Sequence, residues 1–343
     1  MSTIVSAPGV FVGLDYHQNA VQVCVMDREG NLLMNRSCRN DVAAIVKAVQ
    51  SRSAAKATIQ AAIESCCGAA DLAEELVQAG WVVNLAHPGF VSRMKQNPDK
   101  TDYSDARMLA DLERVGYLPK VWLAGQDVRQ LRRLIRFRQQ LADERRDLKL
   151  RISAVLRDER IVRPLFRPWT KVWLKWLSLE APLAEQSRWV VERQLRRLVA
   201  LAQEIKEVEQ RLVSLTKNDS LVQRLRAQPG VGLVTSVTMR AEIGRFDRFR
   251  SGKQLSRFCG LSPRNVSSGQ RQADAGLIRA GNPRLRAVLI EAAHLILRHD
   301  ERWLRMFCQL RANGKPYSLA VAAIANRWVR WLYHQVQPAS LAA

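Results

Sequence analysis

Four carboxylates stand where phosphodiester chemistry would need them. Asp15 ends a first β-like run, Val10 to Leu14, and Glu64 closes a later apolar run, Thr58 to Ile63. Asp102 and Asp105 are spaced i, i+3 at the start of an amphipathic helix, so they lie on one face, one turn apart. Carboxylates at the ends of neighbouring strands, facing a helix that offers two more, can hold two hard cations about 4 Å apart. One cation then activates the attacking oxygen and the other stabilises the leaving one. The set predicts Mg²⁺, as two ions. Each acid also has an ordinary reading, as a strand end, a surface residue or a favourable first-turn charge. The strand, strand, helix order is what singles out the metal.

The elements that must position these acids are readable in turn. Val10 to Leu14 and Val21 to Val25 are short β-like runs, and Asp27-Arg28-Glu29-Gly30-Asn31 supplies turn chemistry before Leu32-Leu33. Asp41 is a natural N-cap for a helix to Val49, Thr58 to Ile63 a buried strand, Ala69 to Gln78 a helix stopped by Gly80, and Trp81 to Leu85 a further strand. A loop rich in Pro, Gly and Asn, His87 to Pro98, precedes a helix from Thr101 to Gly116. The order βββαβαβα predicts a mixed α/β domain over residues 1–122.

Beyond it the pattern lengthens. Leu134, Leu141, Leu148 and Val155 recur every seven residues, and Leu195, Leu198, Ala202, Ile205, Val208, Leu212 and Leu215 follow at spacings of three and four. These predict two arms of a coiled coil in a helical region over 123–219. Between them Pro164, Pro168 and Pro182 flank Trp169, Trp173 and Trp176, which serve as core or, less simply, as a base-stacking platform. Residues 220–343 read as a mainly α domain. In it Pro229-Gly230-Val231-Gly232, between two helical stretches, is either a helix-hairpin-helix element whose backbone N–H groups, at Gly230 and Gly232, bind phosphate or a plain connector.

Charge locates the ligand. The chain has 343 residues and a formal net charge of +22. Residues 1–125 carry net −1, 126–175 net +9, 176–219 net 0 and 220–343 net +14. So uneven a basic excess predicts a nucleic-acid partner gripped by the later parts. No apolar window approaches the roughly 18 residues of a membrane span, and the N-terminus lacks the pattern of a signal peptide. The expectation is a cytoplasmic, nucleoid-associated protein with no membrane partner. Six scattered cysteines, without a Cys-x-x-Cys pair, predict reduced and mostly buried thiols.

Gly13-Leu14-Asp15, Ile63-Glu64 with Gly68, His87-Pro88 and, most specifically, Lys100-Thr101-Asp102-Tyr103-Ser104-Asp105-Ala106 with Leu109-Ala110 together resemble the DEDD-type transposases of insertion sequences. These are recombinases described as guided by a bridge RNA. Ser65-Cys66-Cys67 departs from the small residue and Thr or Cys more usual after the glutamate. The resemblance implies that the first domain is ribonuclease-H-like, similar to the Holliday-junction resolvase RuvC. It continues through Arg257-Phe258-Cys259-Gly260-Leu261-Ser262-Pro263-Arg264, Ser268-Gly269 and Ile278-Arg279-Ala280-Gly281-Asn282-Pro283-Arg284-Leu285-Arg286. It implies that Ser268, with Ser267 as its neighbour in alignment, is the nucleophile that becomes covalently joined to DNA. By spacing alone Ser268 is an ordinary turn residue before glycine. Arg264, Arg279, Arg284 and Arg286 are candidates for phosphate contacts, or solvated charges.

The resemblance further implies donor and target DNA and a non-coding bridge RNA as partners. It also implies a homo-oligomer, dimer or tetramer, whose protomers share sites. The expected activity is DNA recombination through a phosphoserine. The alternatives are a metal-dependent junction nuclease acting by hydrolysis and a non-catalytic nucleic-acid-binding protein.

Overall fold

The structure is a computed structural model that describes residues 9–54, 57–95, 101–266 and 274–336. The chain divides into two compact units, 1–125 and 126–343. In the first, β1 (Val10–Tyr16), β2 (Ala20–Met26) and β3 (Leu32–Arg39) form an antiparallel meander. After α1 (Val42–Gln50), β4 (Ile59–Glu64) pairs parallel with β1. After α2 (Ala69–Gln78), β5 (Val82–Ala86) pairs parallel with β4. Two helices follow, α3 (Pro88–Met94) and α4 (Asp102–Arg114), and then the short β6 (Lys120–Val121), antiparallel to β5. The sheet order is β3-β2-β1-β4-β5-β6.

Central strands covered on both faces should be apolar almost throughout, and Val10, Val12, Leu14, Ala61, Ala62 and Ile63 are all buried. The sequence reading anticipated the meander, α1 with its Asp41 cap, α2 and α4. It did not anticipate α3, set in the stretch read as a loop: Pro88 at the first helical position fixes φ without costing a hydrogen bond. Nor did it anticipate the full length of β3, a sheet-edge strand largely exposed and therefore lacking an apolar signature.

The second unit opens on α5 (Gln126–Asp158), with α6 (Lys171–Leu179) and α7 (Glu185–Thr216) after it. Leu141, Leu148, Ile152 and Leu156 of α5 pack with Val191, Leu198, Leu201 and Ile205 of α7 around Trp173. Leu131 and Ile135, near the start of α5, meet Leu212 near the end of α7, so the two long helices run antiparallel. Trp173 is core, 1% exposed.

Five more helices follow, α8 (Ser220–Arg226), α9 (Leu233–Ile243), α10 (Gly252–Phe258), and, after the ribbon β7 (Pro263–Asn265) and β8 (Asp274–Leu277), α11 (Pro283–His299) and α12 (Glu301–Ala312). The last described helix is α13 (Tyr317–Val336). The boundary expected at 219/220 is crossed by a shared core: Leu131, Ile135 and Leu212 pack with Val222, Val237 and Ala241. Burial there joins the long helices and the C-terminal helices into one unit. No helix among the described residues is long and apolar enough to cross a membrane.

Candidate active site

Asp102 meets Asp15 because α4 lies directly on the sheet. Ala106 and Ala110 of α4 are buried against Cys24 and Met26 of β2. Gly13 of β1 lies beneath: a Cβ there would run into the Ala106 carbonyl oxygen and come within 2.5 Å of the Ala110 nitrogen. Only glycine lets the helix backbone approach so closely. Thr101 caps α4 by accepting from the Ser104 N–H (3.1 Å), and the Ser104 hydroxyl accepts from the Thr101 N–H in return (3.3 Å). From the sheet side, Gln22 donates to Asn35 (2.8 Å) and Asn35 donates to the Tyr103 carbonyl (2.9 Å). The first turn of α4 is thus fixed from both ends.

That turn presents Asp102 and Asp105 to Asp15. His17, two residues past Asp15, places Nε2 3.4 Å from Asp15 Oδ2 and 3.2 Å from Asp102 Oδ2. One ligand atom from each of Asp15, His17 and Asp102 lies within 4.8 Å of the others. Asp105, side chain 10% exposed, is paired with Lys95 Nζ at 2.6 Å. Leu14 is opposite Ile63 in the parallel ladder, so Asp15 and Glu64 end adjacent strands at one level, with Glu64 outside the trio. Burial lifts the Asp15 carboxyl above its ordinary range; His17 pulls it down, while Asp102 and Asp105 push it further up. Anions gathered in partial burial are what a bound cation relieves, and carboxylates with an imidazole suit a divalent metal. The residues present therefore fit the implied metal. His17 and Lys95 escaped the sequence reading; the Asp-x-His spacing, placing two ligands on the same side of β1, was the available signal.

In the second unit, Ser268, like Ser267, falls in the segment between β7 and β8 that lies outside the described residues. Its surroundings are described. Gly281 packs onto Gly260, which has φ +71°; a Cβ on Gly281 would overlap the Gly260 Cα. Asn282 caps α11, accepting from the N–H groups of Arg284 (3.0 Å) and Leu285 (3.2 Å). It donates to Glu242 Oε2 at 3.0 Å. Glu242 also receives a two-pronged contact from Arg136 of α5, at 2.8 and 3.0 Å. Burial alone would raise the Glu242 carboxyl, but Arg136, Arg132 and Asn282 hold it below its ordinary range.

Two groups assigned to nucleic acid by sequence have other work in the fold. Arg286 donates to the carbonyls of Gly260 (2.9 Å) and Ile278 (2.7 Å), joining the two halves of the motif rather than facing solvent. Gly230, at φ +76°, lies against α11, where a Cβ would come within 2.8 Å of the Ile296 nitrogen. Gly232, Arg264, Arg279 and Arg284 are exposed. The thiols differ from expectation too: Cys66, Cys67 and Cys308 are exposed and Cys38 half-buried, leaving Cys24 and Cys259 buried. Burial pushes the Cys24 thiol up to about 12.

A mixed α/β unit with acids at two strand ends and in one helix turn is thus followed in the chain by a helical unit. Residues 12–160 match the model of the IS110-type DEDD transposases, and residues 222–309 match that of the IS116/IS110/IS902 transposase family. The chain is 28% identical to a Sinorhizobium fredii protein named as a transposase, over 94% of this chain and 78% of the relative. It is 26% identical to the transposase of insertion sequence IS1111A from Coxiella burnetii, over 92% of this chain and 86% of that one. It is 25% identical to the IS1328 transposase of Yersinia enterocolitica, over 93% and 94%. The chain belongs to the IS110/IS116 family of insertion-sequence transposases.

Proposed function

We propose that this transposase cuts and rejoins DNA at a site made of the ribonuclease-H-like acids Asp15, Glu64, Asp102 and Asp105 and the serine Ser268. The observation that carries the reading is the meeting of Asp15, His17 and Asp102 ligand atoms within 4.8 Å, beside Asp105. The four acids, with His17, would hold Mg²⁺, as two ions. Metal bound there would supply positive charge to phosphate oxygens and a lowered pKa to an attacking hydroxyl.

Ser268 supplies that hydroxyl. Its Oγ forms a bond to phosphorus as the bond to the leaving DNA oxygen breaks; the serine proton goes to solvent and the leaving oxygen takes one up. A DNA hydroxyl then attacks the phosphoserine, the new strand is sealed and the serine is restored. The ester keeps the bond energy that a hydrolase would lose to water. The match of the second family model across 222–309, which spans Ser268, supports this half. Acids and serine come from different protomers of a dimer or tetramer, with α5 and α7 as the means of assembly. A bridge RNA pairs with donor and target DNA, and the net charge of +22 supports a protein that holds two polyanions.

The test is a denaturing gel of labelled DNA incubated with the protein, its co-purified RNA and Mg²⁺. A slow, protease-sensitive band with wild type and Ser267→Ala, absent in Ser268→Ala, is expected. Free cleaved DNA without an adduct in wild type rejects the serine and favours hydrolysis. Sequencing the co-purifying RNA tests the guide: a pool without a common structured species rejects it.

A further inference from the structure

Beside the acids, α4 forms one wall of a cleft of about 780 Å³, closed by the turn after β2 and the end of α3. We propose that this cleft seats the nucleotide next to the reacting phosphate of the DNA strand, holding its base without reading it. The inference rests on the metal-site reading, because Asp105 belongs both to the acid set and to the cleft wall.

The lining suits that ligand. Met26, Met94 and Met108 contribute thioethers, Met26 nearly buried and the other two half-buried. Thioethers are polarizable, pack well against aromatic rings and adapt to their shape. They offer no strong hydrogen bond, so they hold all four bases alike. Phosphate-binding charge stands at the rim: Arg107 is exposed on α4 one turn from Ser104, and Lys95 lies against Asp105. The far end is closed by Arg114, held by Asp111 at 2.6 Å. The thioethers share the cleft with three basic side chains, Lys95, Arg107 and Arg114, and three acidic ones, Glu29, Asp105 and Asp111; its volume lies within the usual small-ligand range of about 300–1,000 Å³. An apolar peptide would leave Arg107 without use, and a bare phosphate would leave the thioethers without use. A nucleotide uses both. Base tolerance at this point is also what a recombinase needs if pairing with RNA selects the sequence.

The experiment uses the full chain labelled with ¹³C at its methionine methyls, assigned by Met→Leu exchange. It is titrated with a single-stranded tetradeoxynucleotide and with the same strand made abasic; Mn²⁺ binding is measured on the same samples by calorimetry. The tetranucleotide is expected to shift the Met26, Met94 and Met108 methyls, with affinity about tenfold weaker for the abasic strand. Met108→Trp, which fills the cleft, should remove the Met26 and Met94 shifts and leave Mn²⁺ binding unchanged. Arg107→Ala, on the rim, should weaken binding without altering the melting temperature, and covers the case in which the tryptophan variant does not fold. Equal shifts with intact and abasic strands overturn the proposal, as do unmoved methyls in a protein that binds Mn²⁺. Methyl shifts without Mn²⁺ binding would instead overturn the metal reading and leave the cleft standing.

Discussion

The two regions that carry the candidate chemistry are built on opposite plans. In the first unit the reacting groups are part of regular elements: Asp15 and Glu64 end strands, and Asp102 and Asp105 sit in the first turn of α4. In the second unit the candidate nucleophile lies between two short strands, and the precision is in what surrounds it. Gly260 against Gly281, Arg286 across the motif and Glu242 on Asn282 and Arg136 all tie the flanks of that segment to helices. Metal ligands need fixed spacing, which strands and helix turns give.

The largest expected effect breaks the first plan. Asp102→Asn or Asp15→Asn removes a ligand charge and should lower DNA cleavage by about a thousandfold or more. Removing one of several neighbouring anions relieves repulsion, so the metal-free melting temperature should hold or rise. Cleavage in Mg²⁺ near the wild-type rate would remove these residues from the site.

Next in size is a break in the second plan. Glu242, side chain 3% exposed, is the carboxylate on which Arg136 and Asn282 meet. Glu242→Ala leaves Arg136, 40% exposed and so partly solvated, without its partner, at a cost of about 2–3 kcal/mol in stability. Because the folded carboxyl is held below its ordinary 4.5, the stabilisation it gives is present above that pH and lost as pH falls through the lowered value. Urea melts of wild type against Glu242→Gln should therefore differ at neutral pH and draw together in acid. A constant difference would assign the reduced stability to packing alone.

Smaller again is the glycine under α4. Gly13→Ala forces a methyl into the helix backbone, costing about 1–3 kcal/mol, and occasionally more, through displacement of α4. It should reduce cleavage as well as stability, since Asp102 and Asp105 move with the helix. Gly80→Ala, at a turn with nothing within 4 Å of the added atom, controls for the loss of a glycine, although its φ of +90° brings some strain. If Gly13→Ala melts as wild type, the close approach is not what positions the acids.

These comparisons also account for what could be read in the sequence. The strands of the first unit are legible because burial on both faces leaves unbroken apolar runs, and α4 because Thr101 and the i, i+3 acids mark its start. The placement of the four acids at or near element ends is legible for the same reason. Lys95 is not, since a lysine at a helix end carries no period, and His17 is marked only by its spacing of two from Asp15. The role of Glu242 is beyond any local pattern: its partners Arg136 and Asn282 are more than a hundred residues and forty residues away, respectively. Arg286, which donates to the carbonyls of Gly260 and Ile278, marks a further limit, because an arginine in a basic motif has the same sequence signature on a phosphate as on a carbonyl.

That last ambiguity gives the smallest and most discriminating test. Arg284 and Arg286 are two residues apart at the start of α11, with Arg284 exposed and Arg286 bound to the carbonyls of Gly260 and Ile278. Arg286→Ala removes two hydrogen bonds that bridge the motif, so it should lower stability by about 1–3 kcal/mol. Arg284→Ala should leave the melting temperature within its error. In DNA binding the order reverses: with one phosphate fewer neutralised, Arg284→Ala lowers the slope of log affinity against log salt by about 1, equally for any sequence. The Arg286 variant, assayed well below its melting temperature, should keep the wild-type slope. Measuring both quantities for both variants settles which arginine faces the backbone of the DNA and which holds the fold. A salt slope reduced by Arg286→Ala, or a melting temperature reduced by Arg284→Ala, would exchange their roles.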